Sequence, residues 1–234
     1  MSKRVLITGA TRGIGEAIAK KYKELGYQVV GTGTKSTVTP NYLDDCLLAD
    51  FTDMEDIKSL SNLVQSLDID VLINNAGINK IDAFCEIEHE DFLQIQQVNV
   101  FAPFSLCQAV LPNMEKKGWG RIVNISSVWG KLSKAGRGSY STSKFAVDGL
   151  TLSIASEFAS KGILANSVAP GFIDTDMTRK NLGDAGIAQM LTNVPIGRLA
   201  NVNEVAKFVQ WLGSDQNTYI SGQNIAIDGG FTRA

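Results

Sequence analysis

Residues Val5-Leu6-Ile7-Thr8-Gly9-Ala10-Thr11-Arg12-Gly13-Ile14-Gly15 join a short apolar run to a segment of helical period that continues through Glu16-Ala17-Ile18-Ala19 to Leu25. Glycine stands where a chain turns tightly from strand into helix and where backbone must approach a diphosphate closely. The helix that follows offers unpaired N–H groups and the positive end of its dipole to an anion. A glycine turn alone carries little weight; at the first βα turn of a βαβ pattern it reads as a dinucleotide-binding site.

That pattern runs outward along the chain. Val5 to Ile7 precedes the helical period Ile14 to Leu25; Gln28 to Gly31 precedes Asp53 to Leu67; Val71 to Ile73 precedes Asp91 to Met114. Arg121 to Ile125 precedes Ser139 to Ser160, Leu164 to Val168 precedes Val202 to Leu212, and Asn224 to Ile227 closes the series. Strands apolar on both faces, alternating with helices, predict an α/β fold whose parallel sheet is buried between two helical layers. Without repeats or linker-like tracts, residues 1–234 read as one domain. The stretch 171–200, with its Asp, Thr, Gly and Asn punctuation and Pro195, breaks the rhythm and reads as a substrate lid holding one or two short helices.

Composition bounds the function. The 234 residues are 44% hydrophobic, 20% charged and 8% aromatic, with 22 Lys+Arg against 24 Asp+Glu and a net charge of −2. A chain of this size buries roughly 70% of its unfolded surface and needs neither disulfides nor a structural metal. The charge balance argues against nucleic acid or a membrane surface as partner, and no apolar run is long enough to span a bilayer. Three apolar residues before Thr8-Gly9 are too few for a signal-peptide core. Cys46, Cys85 and Cys107, odd in number and without CxxC spacing, read as reduced residues of a cytoplasmic protein. His89, the only histidine, lies in a polar stretch, so neither a metal site nor a Ser-His-Asp triad is expected.

Tyr140 and Lys144 stand four residues apart, on one face of a helix, and Ser126-Ser127 ends the preceding strand. A phenol with a pKa near 10 is a poor acid at neutral pH; a neighbouring ammonium and a positive nicotinamide ring favour its phenolate and lower that value. The glycine spacing of Gly9, Gly13 and Gly15, together with Asn74-Asn75-Ala76-Gly77 after the strand Val71 to Ile73, resembles the short-chain dehydrogenase/reductase family, and the resemblance covers essentially the whole chain. It implies a single-domain Rossmann-type doubly wound sheet of about seven strands with helices on both faces. It also implies a tetrad: Ser127 holds and polarises the carbonyl oxygen, Tyr140 is the acid/base, Lys144 binds the nicotinamide ribose and depresses the Tyr140 pKa, and Asn99 positions a water in the proton relay.

The cofactor follows from charge. Residues 28–39 contain no acid to accept from an adenosine ribose hydroxyl but hold Thr32, Thr34, Lys35 and Ser36, while Arg12 offers a guanidinium to a 2′-phosphate, so NADP(H) is predicted. Gly9, Thr11, Arg12, Gly13, Ile14 and Gly15 would cradle it, with Asn75, Ala76 and Gly77 beside them. By resemblance Asp50, followed by Phe51, lies by the adenine, and in Pro170-Gly171-Phe172-Ile173-Asp174-Thr175 the residues Ile173 and Thr175 meet the carboxamide.

Within the family, the glycine turn, Ile122 to Val128, Ala169 to Thr178 and the C-terminal strand are most similar to the bacterial β-ketoacyl-[acyl-carrier-protein] reductases, with reductases of sugars, polyols and other ketones as the alternative and a non-catalytic dinucleotide sensor as a minor one. Lys131, Lys134 and Arg137 precede Tyr140 without an acid; with Lys116, Lys117 and Lys161 they suggest a basic footprint for an acyl carrier protein, although Gly118-Trp119 stands where carrier reductases often have a basic residue. The resemblance implies a homotetramer built through the Asp91 to Met114 and Ser139 to Ser160 helices.

Overall fold

Short strands of Val, Leu and Ile that are apolar on both sides can be buried only in a sheet covered twice. A computed structural model describing residues 2–35 and 39–233 has this arrangement. Strands β1 (Arg4–Ile7), β2 (Gln28–Gly33), β3 (Asp45–Leu48), β4 (Val71–Asn74), β5 (Gly120–Ile125), β6 (Ile163–Pro170) and β7 (Asn224–Ile227) form one sheet in the order β3-β2-β1-β4-β5-β6-β7. Every pairing is parallel, with Val5 opposite both Val29 and Val71 and Asn74 opposite Asn124. Strand order reverses at β1, so a crevice opens beyond the C-terminal ends of β1 and β4.

Helices α1 (Gly13–Glu24) and α7 (Val202–Leu212) cover one face, burying Ile18, Tyr22, Val205 and Val209 against Val5, Ile7 and Ile73. Helices α2 (Met54–Ser66), α4 (Ala102–Lys117) and α5 (Gly138–Phe158) cover the other, burying Ile57, Leu106 and Ile154 against Leu6, Leu72 and Ile122. Asn201 caps α7 in a reciprocal box with Glu204, whose carboxyl, hydrogen-bonded by Arg198, falls to about 2.

Two differences from the periodicity have local causes. Edge strand β3 carries no alternation because it is only partly covered. The expected helix from Asp91 to Met114 is interrupted: α3 (His89–Gln96) passes through a π turn, Gln97–Phe101, before α4 begins. Pro103 has no N–H to give the carbonyl four residues back, that of Asn99, and the Ala102 N–H reaches Gln97 instead. Within 171–200, α6 (Asp176–Leu191) is two helical pieces joined at Gly183, where φ is 60°. No helix among the described residues is long and apolar enough to cross a membrane.

Candidate active site

The glycine turn lies at the crevice. Gly9 has φ of 65°, and a Cβ on Gly15 would stand 2.2 Å from the Gly9 carbonyl oxygen, so the turn closes only with glycine there. Thr8 Oγ1 accepts from the N–H groups of Asn75 and Ala76, each at 2.9 Å, and Asn75 Nδ2 donates back to the Thr8 carbonyl at 2.9 Å. These bonds lock the loop after β4 onto the loop after β1. No side chain caps the N-terminus of α1, and a Cβ on Gly13 would meet nothing within 4 Å. An uncapped helix end opening into free space is the donor set an anion requires.

The crevice, about 330 Å³, is lined by Gly9, Thr11, Arg12, Gly13, Ile14, Thr34, Asp50, Phe51, Asn75, Ala76, Gly77 and Thr175, all expected at a cofactor, and by Thr32. Gly33, Ala49, Thr52, Ile78 and Val98 also line it; these apolar or small residues carry no signal in the sequence because backbone placement alone brings them there. Gly15 serves the turn and does not line the crevice. Lys35 is exposed and lies outside it, and Ser36 falls outside the described residues. Pro170 ends β6; Ile173 is buried and bridges to Ala200, which leaves its backbone, not its side chain, for a ligand.

Tyr140 and Lys144 project from one face of α5, and Ser127 stands just beyond β5. Lys144 Nζ is 5.5 Å from the centre of the Tyr140 ring and donates to the Ile125 carbonyl at 2.8 Å. Burial without an acidic partner lowers its pKa to about 8. The expected depression of Tyr140 is absent in the protein alone: burial raises its pKa, opposed by a hydrogen bond from Ser127 and by the Arg137 charge. Desolvation of the phenol outweighs the two opposing effects, and a positive nicotinamide ring, which would lower the value, belongs to the cofactor and not to the chain.

Asn99 is buried in the π turn. Its Oδ1 accepts from Ile78 N–H at 2.8 Å, and its Nδ2 donates to the Ile78 carbonyl and to Ser143 Oγ, both at 2.9 Å. The side chain therefore ties the β4 loop to α5, while its backbone carbonyl receives no N–H from Pro103. Beneath the site Asn74 donates to Asn124, Asn124 to Thr151, and Thr151 shares a hydrogen with Ser167, tying β4, β5, α5 and β6 into one rigid support.

A second cavity of about 1000 Å³ opens beside Ser127 and Tyr140. Trp129, Phe172 and Phe231 form one wall, with ring centroids 5.0 to 6.2 Å apart in edge-on pairs. Phe231 arrives from the C-terminal tail, which the Asp228 carboxylate folds back by accepting from Gly230 N–H and from Thr232 N–H and Oγ1. Gly171, Thr178, Gln189, Met190 and Asn193 supply the side formed by the 171–200 segment. No motif in the sequence announces Phe231 or Trp129 as site residues. The basic footprint divides: Lys134 and Arg137 line this cavity, whereas Lys117 pairs with Asp68 and Asp70 and Lys161 with Glu115 near the start of β5, at the opposite end of the sheet.

Residues 9–232 match the family model described as Enoyl-(Acyl carrier protein) reductase. The chain is 41% identical to the 3-oxoacyl-[acyl-carrier-protein] reductase FabG of Haemophilus influenzae, over 97% of each chain, and 39% identical to that of Escherichia coli, over 97% of this chain and 96% of the relative. Among solved structures, one described as an NAD(P)-dependent gluconate 5-dehydrogenase of Beutenbergia cavernae with bound NADP superimposes with a TM-score of 0.94 at 31% identity, covering 99% of this chain and 97% of the other. A 4-hydroxyisoleucine dehydrogenase complexed with NADH superimposes at 0.93 with 30% identity, covering 100% of both. With the glycine turn, the Asn-Asn-Ala-Gly loop and the Tyr-Lys pair in place, the chain belongs to the short-chain dehydrogenase/reductase family.

Proposed function

We propose that the protein is an NADPH-dependent reductase that converts a ketone to a secondary alcohol, and that its substrate is a 3-oxoacyl thioester. The observation that carries this is that Ser127 and Tyr140 line one wall of the large cavity, with Tyr140 one helical turn from buried Lys144. Two hydroxyls converging on one oxygen suit a carbonyl whose carbon receives hydride. NADPH, when bound, supplies that hydride from its nicotinamide.

The chain's own residues do the rest. The N–H groups opening α1 and the Arg12 guanidinium hold phosphates; Thr34 adds a hydroxyl, and Arg12 gives preference to the 2′-phosphate. Ser127 holds the carbonyl oxygen, and Tyr140, kept protonated by burial, gives its proton to that oxygen. Lys144, charged near neutral pH but able to release its proton at about pH 8, passes protons on beside the phenol and binds ribose hydroxyls. Asn99 holds the Ile78 loop against α5 and leaves its carbonyl for the relay water. Residues 171–200 act as the lid of the single domain 1–234.

FabG relatives at about 40% identity along nearly the whole chain support the thioester. The polar lining from Asn79, Gln189 and Asn193, with solved relatives described as gluconate dehydrogenases, favours a sugar or polyol as second reading. The acyl group would be delivered by an acyl carrier protein in the cytoplasm. The exposed Leu93, Phe101, Phe104, Phe145 and Leu152 on and between α3, α4 and α5 support a homotetramer built through these helices; a monomer by light scattering would refute it.

The deciding measurement is the initial rate of NADPH oxidation, with NADH in parallel, on acetoacetyl-CoA. Turnover preferring NADPH is expected. Absence of turnover in a sample that binds NADPH would transfer the reading to sugars and polyols.

A further inference from the structure

Two cations line the large cavity, Lys134 and Arg137, and Arg137 is the one with a buried side-chain donor that lacks a partner. It precedes α5, three residues before Tyr140, and its guanidinium lies 5.7 Å from the Trp129 ring centre. Its Nε is fully buried and has no hydrogen-bond partner, and no ion pair to Arg137 occurs among the described residues. Burial lowers its pKa, and the only charge interaction felt is with Tyr140. A buried guanidinium Nε–H left without an acceptor is costly unless a ligand oxygen completes it. Arg137 lines the same cavity as Ser127 and Tyr140, and its charge is felt at Tyr140, which places a ligand oxygen bound to it close to the carbonyl held by Tyr140 and Ser127.

We propose that Arg137 binds the oxygen on C1 of a 3-oxoacyl substrate, and that its charge extends the reaction to free 3-oxo acids, whose carboxylate pairs with the guanidinium. This rests on the reduction of a 3-oxoacyl group proposed above. In a 3-oxo acid the carboxylate stands where the thioester carbonyl stands, two carbons from the ketone, and presents the planar pair of acceptors that a guanidinium fork matches. The reaction keeps its balance: hydride from NADPH adds to C3, the Tyr140 proton adds to the ketone oxygen, and the products are the 3-hydroxy acid and NADP⁺. The Trp129 and Phe231 rings line the same cavity and set an apolar surface beside the guanidinium.

The test is titration of acetoacetate into the protein–NADP⁺ complex, followed by tryptophan fluorescence, since Trp129 lines the cavity. Saturable binding is expected, weakened about ten-fold or more in Arg137→Gln and less in Arg137→Lys, with neutral ethyl acetoacetate, which offers the guanidinium a C1 carbonyl but no charge, weakened by a smaller factor in each. Circular dichroism and NADPH affinity report whether each variant keeps its fold. Acetoacetate binding equally well to folded Arg137→Gln, or failing to bind the wild-type complex, would overturn the assignment. Acetoacetyl-CoA reduced without acetoacetate binding sinks this inference and leaves the thioester reading intact; acetoacetate bound and reduced in an Arg137-dependent way, with acetoacetyl-CoA inert, does the reverse.

Discussion

The ammonium of Lys144 donates to the carbonyl of Ile125 at 2.8 Å, from a side chain buried without an acid to neutralise it. The catalytic machinery thus contains a charge that the fold alone does not satisfy. Burial lowers its pKa from 10.5 to about 8. Below about pH 8 the lysine is charged in both the folded and unfolded chain, and folding must desolvate that charge. Between about 8 and 10.5 the unfolded chain binds more protons than the folded one, so this group's contribution to stability rises with pH across that window.

Lys144→Met should therefore raise the melting temperature at pH 7 by several degrees, for a relief on the order of 3 kcal/mol. Turnover should fall by at least about 10²-fold. The variant should also lose the rise of stability with pH above 8. Thermal unfolding of both proteins without cofactor, at pH 7 and at pH 10, checks this, and an unchanged or lowered melting temperature at pH 7 counts against the assignment.

Because burial raises the Tyr140 pKa, the phenol holds its proton through the neutral range. Ketone reduction, which needs that proton, should hold steady at neutral pH and fall as Lys144 loses its charge above about pH 8, whereas alcohol oxidation, which needs the phenolate, should climb with pH. Tyr140→Phe should lower both by roughly 10² to 10⁴-fold while leaving NADPH binding near wild type. Parallel pH–rate profiles in the two directions decide.

Arg12 lines the crevice and Lys35 does not. Arg12→Ala should weaken NADPH by about ten-fold or more, the worth of one charge-assisted contact, and leave NADH nearly unchanged. Lys35→Ala should alter the NADPH/NADH ratio by no more than about two-fold. Equal losses for the two cofactors in Arg12→Ala would remove the 2′-phosphate assignment.

Gly15→Ala would place a methyl 2.2 Å from the Gly9 carbonyl oxygen and 2.5 Å from Asn75 Nδ2. Neither atom can yield without opening the lock between the two loops, so a loss of about 1–3 kcal/mol in stability is expected, together with weaker NADPH binding. Gly13→Ala meets no neighbour but must hold φ at 58°, so its effect should come from backbone strain alone. Denaturant unfolding of the two variants separates clash from strain.

Chemistry carried by local order is legible in the order of the residues. The strand and helix alternation, the glycine turn, the absence of an acid in residues 28–39 and the Tyr140–Lys144 spacing are properties of neighbouring residues, and neighbours in a strand or helix share geometry by rule. The sheet layers and the crevice residues from Gly9 to Ile14 and from Asn75 to Gly77 follow from them.

What depends on distant parts meeting was decided only by the tertiary structure. Trp129, Phe172 and Phe231 come from three separate segments and become one wall because β5, β6 and the folded-back tail end together. Lys117 and Lys161 join no site at the cavity because they lie at the other end of the sheet, paired with acids. In the protein without cofactor, burial raises the Tyr140 pKa because desolvation depends on everything packed around it, a sum over the whole fold that no local spacing contains.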